Sequence, residues 1–234
     1  VLIRSSSGIT IGGAQGNPAT PGGQGNLIAG NGGPGVWVKD TPGLGAGTAN
    51  ITIVNNWIGL SGTGTAALAN DGAGVLISDS ANGVTVGPSN VIGGNGDAGV
   101  LLRAVPNSGL QPSVPDNQQT RQNTIAGNKI GTDASGNAAV PNAQYGVLLE
   151  GHTFSNGIAG NTIANHSLAG IALNPDTGAP VARPTGNTIA GNTITSNGPV
   201  GIALTPGSNN NAIGLSGSGN TIAGHTSSGI EIQS

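Results

Sequence analysis

The 234-residue chain contains no cysteine, which removes both a disulfide framework and a cysteine metal site. Charge is scarce as well: charged residues are 6% of the chain, where globular proteins carry about a quarter. The six basic residues are scattered and the net charge is −3, so there is no basic stripe to follow a phosphate backbone, and nucleic acid is not expected as a partner. Aromatics make up 2%, which leaves Ile, Val, Leu and Ala to build any core, in thin layers. No apolar run approaches the roughly 20 residues that span a bilayer. The sequence opens without Met or a signal peptide, and we expect a mature or excised segment of a longer precursor.

Glycine and repetition are abundant instead. Gly supplies 45 residues, as expected where many tight turns need positive φ. The stretch Gly186-Asn-Thr-Ile-Ala-Gly-Asn-Thr-Ile194 returns as Asn123 to Ile130, as Asn156 to Ile163 and, shortened, as Gly219 to Gly224. Self-similarity at a period of tens of residues marks a solenoid.

A further segment has a glycine followed by apolar, variable, apolar, as in Val36-Trp37-Val38 and Val100-Leu101-Leu102. We term it strand A. Strand B ends near Ile11, Ile53, Val86, Ile125, Ile158, Ile189 and Ile213, and strand C near Ile28, Ile58, Ile92, Ile130, Ile163, Ile194 and Ile222. Seven A-B-C coils plus one extra A strand fit the chain. Apolar residues alternate over three to five positions, the strand period, too short for helices. The expected fold is all-β: a parallel β-helix with three short strands per coil, right-handed by the crossover rule. Without a linker-like shift in composition, residues 1–234 read as one β-helix domain, expected to be a segment or subunit of a longer rod.

With its tandem Asn-x-Ile-x-Gly-Asn coils the chain resembles right-handed parallel β-helix repeat proteins of the pectin-lyase-like superfamily, especially bacterial secreted and surface proteins. The resemblance implies the fold and an extracellular or cell-surface location. It does not select a function, because that fold carries lyases, hydrolases, adhesins and structural rods.

Asn26, Asn56, Asn90, Asn128, Asn161, Asn192 and Asn220 stand at the start of strand C, one per coil. Stacked in register, each amide can donate to one neighbour and accept from the other, so they are read as an inward structural ladder rather than a row of sugar-binding amides. A weaker column, Asn50, Asn82, Asn123, Asn156, Asn187 and Asn211, precedes strand B.

Several catalytic-looking strings are discounted. Gly30 to Gly35 fits a dinucleotide fingerprint without a following helix. Asp176-Thr177-Gly178 has no second copy of the aspartic-protease triplet, and Ser216 and Ser218 have no partner His nearby. His152, His166 and His225 are placed at three coil phases as solvent-facing turn residues, so neither a metal nor a cofactor is expected.

One constellation could carry chemistry. Asp40 and Asp79 follow equivalent A strands, with Lys39, Arg103 and Arg4 alongside, and two outward carboxylates at about 5 Å would suit a nucleophile and general acid. Trp37 and Tyr145 could stack on a sugar. The aligned insertions Ile58 to Asn70 and Ile130 to Asn142 would flank a groove floored by Leu76, Ser78 and Asp79. Against an enzyme, the chain lacks the polygalacturonase signatures and the acidic calcium cluster of pectate lyases that the resemblance would bring.

The outward middle residues of strand A, Leu2, Trp37, Leu76, Leu101 and Leu148, followed by Ala172, Ala203 and Glu231, form a candidate interface with Arg4, unless the excursion from Ala104 to Arg121 covers them. The readings rank as structural rod or filament subunit, associating end to end or along the strand A face, then carbohydrate-binding or adhesive module, then polysaccharide lyase or hydrolase.

Overall fold

The computed structural model describes residues 1–13, 16, 18, 23–41, 47–104, 119–174 and 183–233. Among them there is no helix, and every strand lies in a parallel ladder. Sheet A has eight strands: Leu2–Arg4, Val36–Lys39, Val75–Ser78, Val100–Ala104, Tyr145–Gly151, Ala169–Asn174, Val200–Leu204 and Ser228–Ile232. Sheet B has seven: Thr10–Gly12, Ile51–Val54, Val84–Val86, Thr124–Ala126, Gly157–Ala159, Thr188–Ala190 and Ala212–Ile213. Sheet C also has seven: Leu27–Ile28, Trp57–Ile58, Val91–Ile92, Lys129–Ile130, Thr162–Ala164, Thr193–Thr195 and Thr221–Ala223. The chain is therefore a right-handed parallel β-helix of seven coils and one further A strand, the hand following from the parallel crossovers.

The core is stacked in columns one residue wide. Val36, Val75, Val100, Val147, Ile171 and Ile202 lie in register on sheet A, with Val38, Ile77, Leu102, Leu149, Leu173 and Leu204 two residues on. The Ile and Val residues that end strands B and C join them in one cluster. Each strand gives the interior only one or two side chains, so β-branched residues, stiff at χ1, suit the pleat and fill the thin layers.

Most corners follow a common rule: a residue in the left-handed region, then a residue whose side chain turns inward. Before strand C the left-handed residue is Asn55, Ser89, Gly127, Gly160 or Gly191, with φ from 59° to 67°, and the inward residue is the ladder Asn. Asn26, Asn56, Asn90, Asn128, Asn161, Asn192 and Asn220 are linked in series by Nδ2 to Oδ1 hydrogen bonds of 2.9 to 3.1 Å. The second Nδ2 hydrogen reaches back to a carbonyl of the preceding coil, as from Asn161 to Ile125 at 2.8 Å. One amide thus ties three consecutive coils.

The column before strand B is shorter than the sequence suggests. Asn123, Asn156, Asn187 and Asn211 are linked at 3.0 Å, and Asn123 Oδ1 accepts from Val84 N–H. In coils 2 and 3 the inward position belongs to Ile51 and Val84. Asn50 is itself the left-handed residue, with φ 56°, and Asn82 precedes Val84 by two. The sequence column was out of register there because Asn suits the left-handed position as well as the inward one.

A further column, unanticipated from sequence, runs between strand C and the next strand A: Asn31, Asn70, Asn95, Asn142, His166 and Asn197, with links from 2.7 to 3.2 Å. It explains the glycine before strand A. A Cβ on Gly99 would lie 2.6 Å from Ile130 Cγ2 and 2.8 Å from Asn142 Nδ2, so the ladder amide occupies the space a side chain would need.

The paired insertions fold as twin hairpins closed by the bridges Leu60 to Ala67 and Thr132 to Ala139. They meet over the short third coil, Ala134 N–H donating to Gly64 O at 2.8 Å. Trp57, Leu60, Val91 and Val140, with Ala134, form a small outer core beneath them on sheet C. The groove expected over Leu76, Ser78 and Asp79 is therefore absent: the hairpins leave from strand C, and those three residues belong to the sheet A side.

Replacing Asn161 by Ala orphans Asn128, Ile125 O and Asn192 around a buried site. We predict a loss of ~1 to 3 kcal/mol per unsatisfied group, read as a lowered midpoint in chemical denaturation. Asn26→Ala, at the exposed rim of the same column, should cost visibly less.

Candidate functional site

Strand A ends in the cluster the sequence singled out, and the structure brings part of it together. Lys39 Nζ sits 3.1 Å from Asp79 Oδ2 and 4.5 Å from the centre of the Trp37 ring. Ser78 Oγ donates to Asp79 Oδ2 at 3.1 Å and accepts from Trp37 Nε1 at 2.9 Å. The cation therefore occupies an indole face that a sugar would need, while the indole N–H is already used.

The remaining candidates point elsewhere. Asp40 accepts from Thr41 N–H at 2.7 Å and from Ser5 Oγ at 3.4 Å, and Arg103 is held by Glu150. A catalytic acid and nucleophile need freedom to meet substrate; here Asp79 is neutralised by Lys39 and Arg103 by a carboxylate the sequence reading did not weigh. This network fixes the end of strand A. Arg4 is exposed, its carbonyl accepting from Ser6 Oγ, and Glu231 accepts from Gln233 Nε2.

The outward stripe of sheet A is also altered by the structure. Leu2, Trp37, Leu76, Leu101, Leu148, Ala172, Ala203 and Glu231 do lie in one register column. Leu2 is 58% exposed, but Leu101 is 1% exposed and Leu76 and Leu148 are buried. These three are an outer core rather than an open interface, clustered with Ala73, Ala98 and Ala172 against Trp37 and Tyr145. Of the excursion proposed as a cover, residues 105–118 lie outside the described residues, as does the Asp176-Thr177-Gly178 triplet.

Where the column changes from Leu to Ala, an open groove of about 430 Å³ appears. Ala172 and Ala203 form its floor, and Tyr145 stands at one side. Glu150, Asn174, Thr205 and Gln233 form a polar edge along the axis. Tyr145 thus lines a recess, as a binding aromatic would.

The histidines depart most from expectation. His166 is 1% exposed and replaces Asn as a rung of the third column. Asn142 Oδ1 accepts from Asn95, so its Nδ2 faces His166 Nε2 at 3.2 Å, and His166 Nδ1 is left to donate to Asn197 Oδ1 at 2.9 Å. His225 follows in the same phase, with its ring nitrogens 3.0 and 3.3 Å from Asn197 O and Ile194 O. Two of the three histidines thus share a column, and His166 is interior rather than solvent-facing. Burial pushes the His166 imidazole down from 6.5 to about 4, against an opposing hydrogen bond to Asn197.

In the second hairpin, partial burial pushes Asp133 up, but donors at Ala138, Ser135, Asn137 and Gly136 outweigh it and hold the carboxyl below its usual range. This anchors the turn.

The three-sheet coil is the parallel β-helix that the repeats imply. The family described as "Periplasmic copper-binding protein (NosD)" matches residues 113–215. No curated protein matches the chain. Among solved structures, an alginate lyase from Paenibacillus sp. str. FPU-7 is similar with a TM-score of 0.46 and 11% identity, over 90% of this chain and 79% of that one.

His166 gives a signed pH prediction. Between about 4 and 6.5 the unfolded chain binds the proton that the folded chain refuses, so stability falls as pH drops through that window, by on the order of 3 kcal/mol in total. Denaturation midpoints measured across the window should show this slope, and His166→Asn, which restores an amide rung, should flatten it.

Proposed function

We propose that the chain serves as a structural β-solenoid, a rod segment of a protein working outside the cytoplasm, at the cell surface or in the surrounding space. The observation that carries this reading is the set of amide columns running along the coils. A binding domain needs a rigid scaffold only around its site, whereas here the same device recurs in each coil and holds the stack along its whole axis. The engaged state of Lys39, Asp79, Arg103 and Glu150 supports a structural role for the residues that could otherwise be catalytic. The periplasmic description of the matching family supports the location.

The copper-binding description of that family is not carried over. Copper favours thiolate, thioether and imidazole ligands, and the chain has neither Cys nor Met. The rings of His166 and His225 are both engaged within the third column. Among the described residues no three His, Cys, Asp or Glu come together.

A second reading, carbohydrate binding, is favoured by one observation: the recess over the later coils combines an aromatic side, an apolar floor and a polar edge, the mixture that a sugar site uses.

Excising one coil separates the two. Removing residues 157–187 joins Asn156 to Thr188 with the register preserved, since Gly157 and Thr188 are partners. The rod reading predicts a folded solenoid with an unchanged strand spectrum, shorter by ~4.8 Å in small-angle scattering. Capture or cleavage of a polysaccharide by the intact chain, lost on this excision, would overturn it in favour of a ligand site.

A further inference from the structure

A side-chain amide is chemically labile where glycine follows asparagine. Lacking a Cβ, the glycine lets its own backbone nitrogen swing toward the preceding side chain, and closure of the imide ring then gains the rate of a well-oriented intramolecular reaction. The chain holds five such pairs: Asn31-Gly32, Asn82-Gly83, Asn95-Gly96, Asn156-Gly157 and Asn197-Gly198. The amide columns do not treat them alike.

Three of the pairs are locked twice. Asn95, Asn156 and Asn197 are buried rungs whose Oδ1 accepts from Asn70, Asn123 and His166 respectively. Their Nδ2 groups donate to Ile58 O, Thr120 O and Ile163 O of the preceding coil. The glycine that follows is tied as well: the N–H groups of Gly96, Gly157 and Gly198 donate to Asn70 O, Asn123 O and His166 O at 2.9, 2.9 and 2.6 Å. Neither the amide carbon nor the nitrogen that would attack it can turn toward the other without breaking several buried hydrogen bonds.

The other two pairs escape this double lock. Asn31 is the exposed first rung of the third column. It donates to Asn70 Oδ1 and Ala29 O, but among the described residues nothing donates to its Oδ1 and the Gly32 N–H has no protein acceptor. The surroundings are open, since a Cβ on Gly32 would meet only Asp71 Oδ2, at 3.8 Å. Asn82 is half-buried and belongs to no column, because Val84 takes the inward position at that corner. Its Nδ2 reaches Ser80 O at a long 3.4 Å, and a Cβ on Gly83 would come no nearer than 3.5 Å to Asn50 N, so a ring has room to close.

We propose that Asn31 and Asn82 are sites of spontaneous deamidation, while the columns protect Asn95, Asn156 and Asn197. The nitrogen of Gly32 or Gly83 attacks the preceding Asn Cγ; the new N–Cγ bond forms as Cγ–Nδ2 breaks, and the displaced nitrogen leaves as ammonia with the glycine proton. Water then opens the imide at either carbonyl, which leaves an aspartyl or isoaspartyl residue at position 31 or 82. Each conversion adds a negative charge. An ionised carboxylate has no hydrogen to donate, so at position 31 the link to Asn70 is lost and the column is shortened by one rung. At an interior rung the same conversion would break a column in the middle and orphan buried groups. The packing thus protects the residue type on which it depends, whatever the solenoid is used for.

The test is incubation of the purified chain in warm, mildly alkaline buffer, with peptide mapping by mass spectrometry and enzymatic detection of isoaspartate at successive times. In the folded chain, conversion at Asn31 and at Asn82 should each outrun that at the three locked positions by at least ~10-fold, because leaving a column forfeits buried hydrogen bonds. In guanidinium chloride, which dissolves the columns, all five should convert at comparable rates. Conversion of Asn95, Asn156 or Asn197 in the folded chain as fast as that of Asn31 or Asn82 would overturn the proposal. So would failure of Asn31 or Asn82 to convert in the folded chain while the denatured chain does, or persistence of the same ranking in the denatured chain, which would place its cause in the local sequence rather than in the columns.

Discussion

The structure depends on how the chain turns a corner. A parallel coil with three strands of two to seven residues must reverse direction repeatedly, and each reversal threatens to bury backbone groups without partners. The solution is a left-handed residue followed by an inward amide. The left-handed residue makes the bend, and the amide then bonds along the axis to its equivalents and back to a carbonyl of the preceding coil. An isolated corner would be strained and polar in the wrong place. Stacked corners satisfy one another, so the amide columns and the strand ladders stabilise each other.

This arrangement explains the composition. The columns need donors and acceptors on one short uncharged side chain, which favours Asn, and close corners favour Gly. The interior has room only for aliphatic side chains in single file, so aromatics and charges are confined to the outside. His166 shows how tolerant the rule is: a neutral imidazole also has one donor and one acceptor, and can replace an amide at a rung while protonation remains unfavourable. Charge on the outer surface is used locally, between Lys39 and Asp79 or Arg103 and Glu150, to fasten the ends of strand A.

Much of the fold was legible because the inward residues repeat at constant offsets inside the short Thr-Ile-Ala-Gly-Asn unit. The strand C column and the three sheets could be read for that reason. The third amide column was hidden because hairpins of variable length separate Asn70 and Asn142 from strand C, and because two of its positions are histidine. Asn50 and Asn82 misled because Asn favours left-handed and inward positions alike. The candidate site was less legible. Strand alternation places Leu76, Leu101 and Leu148 outward, but alternation alone cannot show whether an outward side chain is covered. Equivalent coil positions suggested a pair of Asp40 and Asp79, whereas side-chain partners divide them between two separate networks.

The central claim is that the corner amides are internal structural bonds rather than a polar surface available to ligands. Hydrogen exchange at the side-chain amides, followed by nuclear magnetic resonance, tests it directly. The Nδ2 hydrogens of Asn90, Asn128 and Asn161, each shared between a neighbouring amide and a carbonyl of the preceding coil, should be protected as strongly as the backbone amides of Ile92, Ile130 and Ile163. Side-chain exchange at the rate of a solvent-exposed amide, while those backbone amides remain protected, would contradict the account.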